Sequence, residues 1–221
     1  MPCSSSINPV DFVTQVEPLL EKRDLPGLLQ LLKSRWTYDQ LKDLMRSPHH
    51  DARKVAMLAL SLVGGRCAIP VLTERLKDPE PCANQMAEHA LWSIWFRCGS
   101  DQANVLIKQG ADALEQKQLE QAEKLFTQAI EADPTFAEAY NQRAIARYLA
   151  ERYPQSIEDC QRVLERMPCH FGAWAGMGHC WAHLGETSKA IECYSKALEI
   201  NPHLDQVDEA LTTLRCQGEC E

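Results

Sequence analysis

The sequence contains few aromatic residues and few glycines, and both shortages bear on the class of fold. Only 7% of its 221 residues are Phe, Trp or Tyr, and its 10 glycines are outnumbered by 12 prolines. All-β sandwiches and barrels need many short strands, rich in aromatic and β-branched residues and separated by turns. The composition therefore argues against an all-β fold. An apolar fraction of 45% and a charged fraction of 24% are typical of an ordinary folded protein.

Long apolar runs are also missing, and none approaches the roughly 18–20 residues that a membrane-spanning helix needs. The segment from Met1 to Leu20 contains neither Lys nor Arg, so we expect no secretory signal peptide. Ten cysteines are too few for a disulfide-stabilised scaffold of this length, and no Cys-x-x-Cys spacing occurs. We therefore predict a cytoplasmic protein with free thiols, most of them buried in helices.

Positive charge is scarce in the second half of the chain. The net charge is −8 overall, whereas residues 100–221 alone carry 11 basic and 20 acidic side chains, a net charge of −9. An acidic surface without a Lys/Arg cluster repels the phosphates of nucleic acids and anionic membranes. We expect protein or peptide partners that are apolar or basic.

Three prolines recur at equal intervals along the second half, and each is preceded by the same alternation of large and small apolar residues. The prolines are Pro134, Pro168 and Pro202. The last of the three repeats has the alternation Trp174, Gly178, Trp181, Ala190, Tyr194 and Ala197. Each repeat divides into two helices of about 14 residues, and its proline ends the second helix. The pattern resembles the tetratricopeptide repeat across residues 103–204.

This resemblance implies a right-handed superhelical α-solenoid of helix-turn-helix repeats. Within residues 100–204 the repeats span 103–136, 137–170 and 171–204. The second repeat departs from the family pattern, because Arg147 and Ser156 replace an aromatic residue and an alanine. Residues 205–221 are predicted to form a capping helix and a tail, since the open end of a solenoid needs one polar face.

The first half shows a different repeat with a shorter interval. Leu41, Met45 and Ala56 recur as Leu72, Leu76 and Ala87, and the dipeptides Ser47-Pro48 and Asp78-Pro79 mark a turn in each copy. Residues 36–99 resemble a pair of HEAT-like repeats of the bacterial PBS-lyase type. Residues 1–35 are predicted to form a helical cap or a degenerate repeat. We place the boundary between the halves near Gly99-Ser100, where composition and charge change.

The resemblance to the tetratricopeptide repeat also implies a peptide-binding groove, because the first helix of each repeat lines the concave face. The residues at the groove positions are Asn104, Ile107, Ala111, Leu114 and Glu115, then Glu138, Asn141, Ile145, Tyr148 and Leu149, then Gly172, Ala175, His179, Ala182 and His183. These side chains are small and apolar in the middle of the groove, with Glu at one side. They are suited to an apolar side chain or one face of a helix.

Some members of this family bind acidic C-terminal peptides of heat-shock chaperones through a clamp of Lys, Arg and Asn side chains. The matching positions here hold Ile107, Ala111, Gln142, Gly172 and Gly176. None of these residues is a cation, and a buried carboxylate without a charge-assisted donor is unfavourable. We therefore predict that chaperone-type acidic tails do not bind.

No arrangement of residues indicates catalysis. His179 and His183 share one helical face, but zinc needs two further ligands, and Cys216-x-x-x-Cys220 lies at the extreme end of the chain. Phosphate-binding Gly-rich loops and a Gly-x-Ser-x-Gly motif do not occur. We predict a non-catalytic interaction scaffold without metal or cofactor. Two alternatives stay open: a bilin-lyase-like or thiol-handling enzyme accessory, and a structural subunit of a homo-oligomer.

Overall fold

The computed structural model describes residues 7–218, apart from the side chains of Pro81 and Gln217, and all regular secondary structure in that range is helical. This confirms the prediction of an all-α fold. The chain forms two compact units, of which unit 1 ends at Ile94 and unit 2 begins at Trp95. The division falls slightly before the predicted boundary at Gly99-Ser100. Trp95 belongs to unit 2 because its ring stacks on His170 and packs against Phe171.

Unit 1 consists of short helices. They are α1 (Pro9–Glu21), α2 (Leu25–Arg35), α3 (Tyr38–Leu44), α4 (His50–Val63), α5 (Ile69–Arg75) and α6 (Pro81–Trp95), the last of which continues into unit 2. Side-chain caps fix the first two helices: Asn8 accepts a hydrogen bond from the backbone N–H of Val10 at 2.9 Å, and Asp24 from that of Gly27 at 3.0 Å. Such caps stabilise helix N-termini, where backbone donors have no partner within the helix.

The sequence repeat of unit 1 is visible in its hydrogen bonds. Ser47 and Asp78 each accept a hydrogen bond on the side chain from the backbone N–H two residues later, at 3.1 Å in both turns. The carbonyl oxygens of the same two residues accept bonds from Arg53, at 2.9 Å, and Asn84, at 3.3 Å, which occupy equivalent positions in the two copies. The two turns therefore have matching geometry in matching register. Whether they are HEAT-like repeats stays a prediction.

Unit 2 consists of three helix pairs and one more helix. They are α7 (Asp101–Glu115) with α8 (Leu119–Ala132), α9 (Ala137–Leu149) with α10 (Tyr153–Arg166), α11 (Phe171–His183) with α12 (Thr187–Ile200), and α13 (Asp205–Gly218). The three pairs correspond to the three repeats that the sequence predicts. Helix α13 packs on α12 through Val207 and Leu211, which are buried. That it caps the repeats stays a prediction.

The turn inside each helix pair has the same backbone conformation. Lys117, Glu151 and Gly185 occupy the same position in successive repeats, and all three have a left-handed φ, of 60°, 58° and 75°. The residue after each of them donates its N–H to a carbonyl five residues earlier, at 2.8–2.9 Å. This is the bond that closes a Schellman motif, where glycine is the usual residue. The repeat therefore fixes the turn even where a Lys or Glu must adopt a left-handed conformation.

In two of the three pairs, a glycine on one helix allows an aromatic ring of the other helix to approach closely. A Cβ atom on Gly110 would lie 2.4 Å from the ring of Phe126, and one on Gly178 would lie 2.5 Å from the ring of Tyr194. The glycine therefore makes room for the aromatic ring in the first and third repeats. In the second repeat these two positions hold Ala144 and Cys160, so a methyl group and a thiol replace the pairing of glycine with a ring.

Candidate functional site

A pocket of about 230 Å³ opens in unit 2 where residues of α9, α10 and α11 meet. Six predicted groove residues line it: Asn141, Ile145, Tyr148, Gly172, Ala175 and His179. Four lining residues were not among the predicted ones: Ala144, Ser156, Cys160 and Gly176. The family positions identified the helix faces α9 and α11, but they gave no indication that α10 contributes to the pocket.

Two exposed apolar side chains of α9 lie on the predicted groove face. Ile145 is 36% exposed and Leu149 is 52% exposed, and their spacing of four residues places them on the same side of the helix. Glu115 and His183 are exposed as well, whereas Ala111 and Ala182 are half-buried. A contiguous exposed apolar surface beside a pocket is typical of a binding site.

Some of the predicted groove residues are buried and present no surface. Ile107 is only 1% exposed, because it packs in the core of the first repeat with Phe126, and Leu114 is half-buried against the same core. Asn104 instead fixes the start of α7, since its amide exchanges hydrogen bonds of 3.1 and 2.9 Å with the backbone of Gly99. The assignment of Ile107 as a contact residue is therefore wrong for this conformation. A position in the repeat determines on which face of the helix a residue lies, but not how deeply its side chain is buried.

Glu138 is also buried, and its carboxylate has three hydrogen-bond donors. The backbone N–H of Ala173 donates to Nδ1 of His170 at 3.0 Å, so the proton of this imidazole is on Nε2, which donates to Glu138 Oε2 at 3.0 Å. Asn141 and Gln142 both donate to Oε1, at 3.0 and 2.7 Å. This buried arrangement holds the amide of Asn141 at the pocket. Sequence reasoning missed it, because Glu138 lies in α9 and His170 directly before α11, 32 residues later, and no motif links them.

A second polar network explains why the second repeat departs from the family pattern. Asp159 accepts two bonds from Arg143, at 2.9 and 2.7 Å, and one from Arg147, at 2.9 Å. Arg147 also donates to Glu123 at 2.9 Å, and Arg152 donates to the same carboxylate. Burial by itself would raise the pKa of Glu123, but the hydrogen bonds from both arginines outweigh it and lower the pKa. The guanidinium of Arg147 therefore links α8, α9 and α10 where an aromatic ring is usual.

The two histidines of α11 are hydrogen-bonded to tyrosines. The hydroxyl of Tyr148 lies 3.0 Å from His183 Nε2, and that of Tyr194 lies 2.8 Å from His179 Nδ1. The ring of Tyr153 stacks on His183 at a centroid distance of 4.8 Å. Burial, and then the neighbouring His183, lower the pKa of His179, so its imidazole is neutral near pH 7. His179 and Tyr148 thus present a neutral aromatic surface at one side of the pocket.

The cysteines differ from the prediction that most of them are buried. Among residues 7–218, three cysteines are buried, namely Cys160, Cys180 and Cys193, and three are exposed, namely Cys67, Cys82 and Cys216. Burial raises the pKa of the Cys160 thiol and raises that of Cys193 to about 11, so these thiols stay protonated. The spacing Cys216-x-x-x-Cys220 is not settled by the structure, because Cys220 lies outside the described residues. Within the described part of the chain no three His, Cys, Asp or Glu side chains are placed to hold a metal ion.

None of the helices described for this chain is long and apolar enough to cross a membrane.

Comparison with known proteins gives matches to unit 2. Two family profiles, each described as "Tetratricopeptide repeat", match residues 107–168 and 172–204. A TPR repeat-containing protein of Rhizobium etli is 30% identical over 129 residues, which are 58% of this chain and 62% of that protein. The chain thus spans less than two thirds of that relative's length. These matches confirm the prediction of tetratricopeptide repeats in this part of the chain.

Solved structures show the same fold. The Sgt2 TPR domain of Aspergillus fumigatus has a TM-score of 0.53 and 23% identity, covering 55% of this chain and 82% of that domain. The first TPR domain of Spaghetti (RPAP3), bound to the HSP90 peptide SRMEEVD, has a TM-score of 0.53 and 21% identity, covering 55% of this chain and 96% of that one. The likeness confirms a solenoid of helix-turn-helix repeats. The acidic HSP90 peptide bound to the Spaghetti (RPAP3) domain conflicts with the prediction that such tails are excluded here.

Proposed function

We propose that this chain, in which residues 107–168 and 172–204 are tetratricopeptide repeats, is a non-catalytic adaptor that binds a peptide or a helix of a partner protein. The observation that carries the proposal is the apolar pocket beside the exposed Ile145 and Leu149. An extended chain or an amphipathic helix buries apolar side chains in such a groove, and burial of apolar area drives the association.

The chemistry of the groove supports binding better than catalysis. The thiol that lines the pocket, Cys160, is held protonated by burial, and a protonated thiol is a poor nucleophile. The hydrogen-bond partner of His179 is the Tyr194 hydroxyl, and burial raises the pKa of that hydroxyl to about 12, so it also stays protonated. The groove therefore offers no support for the bilin-lyase-like and thiol-handling alternatives.

The proposal also includes the type of repeat in unit 1 and the compartment in which the protein is located. The matching turns at Ser47 and Asp78 favour a pair of HEAT-like helical repeats in residues 36–99. The free thiols favour the cytoplasm, where thiols are kept reduced.

Affinity capture with groove variants tests the proposed adaptor role. We expect the wild-type chain to retain a partner that the variant Leu149→Glu loses, because a carboxylate placed in the groove disfavours an apolar ligand. Val105→Glu is the matched control, since Val105 is 57% exposed on α7 and is not at a groove position. Equal capture by all three proteins would contradict binding in the groove.

The exclusion of acidic chaperone tails is part of this proposal and rests on the groove of this chain alone. At the clamp positions Ile107 and Gln142 are buried, and Gly172 has no side chain to offer. A carboxylate that enters this groove loses its hydration without gaining an ionic donor. The charge of −9 on residues 100–221 repels it further.

Titration with a fluorescent Glu-Glu-Val-Asp peptide checks this exclusion. We expect no saturable change in fluorescence anisotropy, at low salt or at physiological salt. The same peptide titrated into a chaperone adaptor that carries the cationic clamp is the positive control. A dissociation constant in the micromolar range would show that the exclusion is wrong.

A further inference from the structure

Among the three described repeats, the pocket lies at the second, whose core lacks an aromatic ring that the other two have. Phe126 in the first repeat and Tyr194 in the third repeat are both buried, and each lies directly against the glycine of its own repeat. The equivalent residue of the second repeat is Cys160, whose side chain is several atoms smaller. Cys160 lines the pocket together with its helix neighbour Ser156. The space that a ring occupies in the adjoining repeats is therefore partly open here, and it opens towards the groove.

A glycine that the fold does not require keeps this space open. A Cβ atom on Gly110 or Gly178 would collide with a ring, but a Cβ atom on Gly176 would meet only the Sγ atom of Cys160, at 3.8 Å, an ordinary contact distance. Gly176 stands in the middle of α11, where glycine is less favourable than alanine. Packing within the chain gives no reason for this unfavourable residue. A ligand that occupies this space would explain why the residue at this position is glycine.

We propose that the pocket binds an aromatic side chain of a basic peptide, which takes the place of the ring that the second repeat lacks. This proposal rests on the proposed adaptor function and names the side chain that anchors the partner. The size is adequate, because an apolar cavity of about 150 Å³ binds benzene, and this pocket measures about 230 Å³.

The residues around the pocket favour an uncharged side chain as the anchor, in a peptide that is positively charged on either side of it. No lining residue is charged: the polar groups are the amide of Asn141, the hydroxyls of Tyr148 and Ser156, the thiol of Cys160 and the imidazole of His179. Because the pKa of His179 is lowered, that ring does not supply a cation for a carboxylate near pH 7. The negative charge of residues 100–221 attracts Lys and Arg on either side of the anchor.

A peptide series on the wild-type chain tests the anchor directly. The probes are Ac-Lys-Gly-X-Gly-Lys-NH₂ with Phe, Ala or Glu at X, titrated into the ¹⁵N-labelled full chain. We expect the Phe peptide to bind about tenfold or more tightly than the Ala peptide, and the Glu peptide to bind most weakly. Equal affinity for the Phe and Ala peptides would overturn the proposal.

A second test fills the pocket with a larger side chain of the protein itself. Gly176→Leu places its side chain next to Cys160, so we expect the Phe peptide to bind about tenfold or more weakly while the melting temperature does not fall. Gly176→Ala is the matched control, which removes the glycine but leaves most of the pocket open, and it should bind the peptide as wild type does. Ala144→Gly combined with Cys160→Phe restores the glycine and the ring of the neighbouring repeats and should give the same loss as Gly176→Leu.

The outcomes separate this proposal from the adaptor function. If Leu149→Glu abolishes capture of a partner but Gly176→Leu does not, the groove binds and the anchor pocket is wrong. If neither variant changes capture, both proposals fail. If both variants lose the partner and the Phe peptide binds the wild-type chain preferentially, both are supported.

Discussion

Replacing Glu138 by Ala is expected to lower the free energy of unfolding of unit 2 by about 3–5 kcal/mol, because each interior donor that loses its acceptor costs about 1–3 kcal/mol. The carboxylate is 1% exposed and accepts bonds from His170, Asn141 and Gln142. Its removal takes an acceptor away from three interior donors, and bulk water cannot replace it at His170, which is 0% exposed. Urea unfolding monitored by circular dichroism measures the loss.

The control for this variant is Glu131→Ala, which removes an exposed carboxylate from the neighbouring helix α8. Its effect is expected to stay within about 0.5 kcal/mol. A loss below about 1 kcal/mol for Glu138→Ala would show that the hydrogen bonds around this carboxylate contribute little.

Asp159→Asn is expected to lower the free energy of unfolding by about 3 kcal/mol, the lower end of the range for breaking a buried ion pair. The lower end applies because Arg143 and Arg147 are 14% and 17% exposed and regain part of their hydration, whereas Asp159 is 3% exposed. Asparagine keeps the size of the side chain, so the measurement reports the lost charge and not a cavity.

The adjacent residue Glu158 offers a matched control, since it is an exposed carboxylate on the same helix. Glu158→Gln removes one negative charge at nearly the same place and should leave the melting temperature unchanged. An equal effect of the two substitutions would mean that net charge, and not the contacts of Asp159, determines stability.

The helices of unit 2 could be predicted from the sequence because its repeats have similar residues at equivalent positions, and each of these residues acts on the structure nearby. Small residues such as Gly110 and Gly178 permit close helix contacts, and Pro134 ends a repeat. Such signals act within one helix pair, so a single sequence reveals them.

The pocket and the two polar networks could not be predicted in the same way. They depend on contacts that reach beyond one helix pair, such as Glu138 of α9 with His170 before α11 or Arg147 of α9 with Glu123 of α8. The one visible signal was a departure from the pattern, since Arg147 and Ser156 stood where the repeat has an aromatic residue and an alanine. Ser156 proves to donate to the carbonyl oxygen of Ala144 at 2.8 Å, beside the pocket. The two departures thus lie at the second network and at the pocket, whereas neither belongs to the network around Glu138.

The central claim is that a partner binds in the groove formed by α9 and α11. The most direct test is an NMR titration of the ¹⁵N-labelled chain with the shortest peptide of a captured partner that still binds. The account predicts that the largest shifts occur at amides around Ile145, Leu149, Gly172 and Gly176, with little change in residues 7–94. Shifts confined to residues 7–94, or to the outer helices α8 and α12, would contradict it.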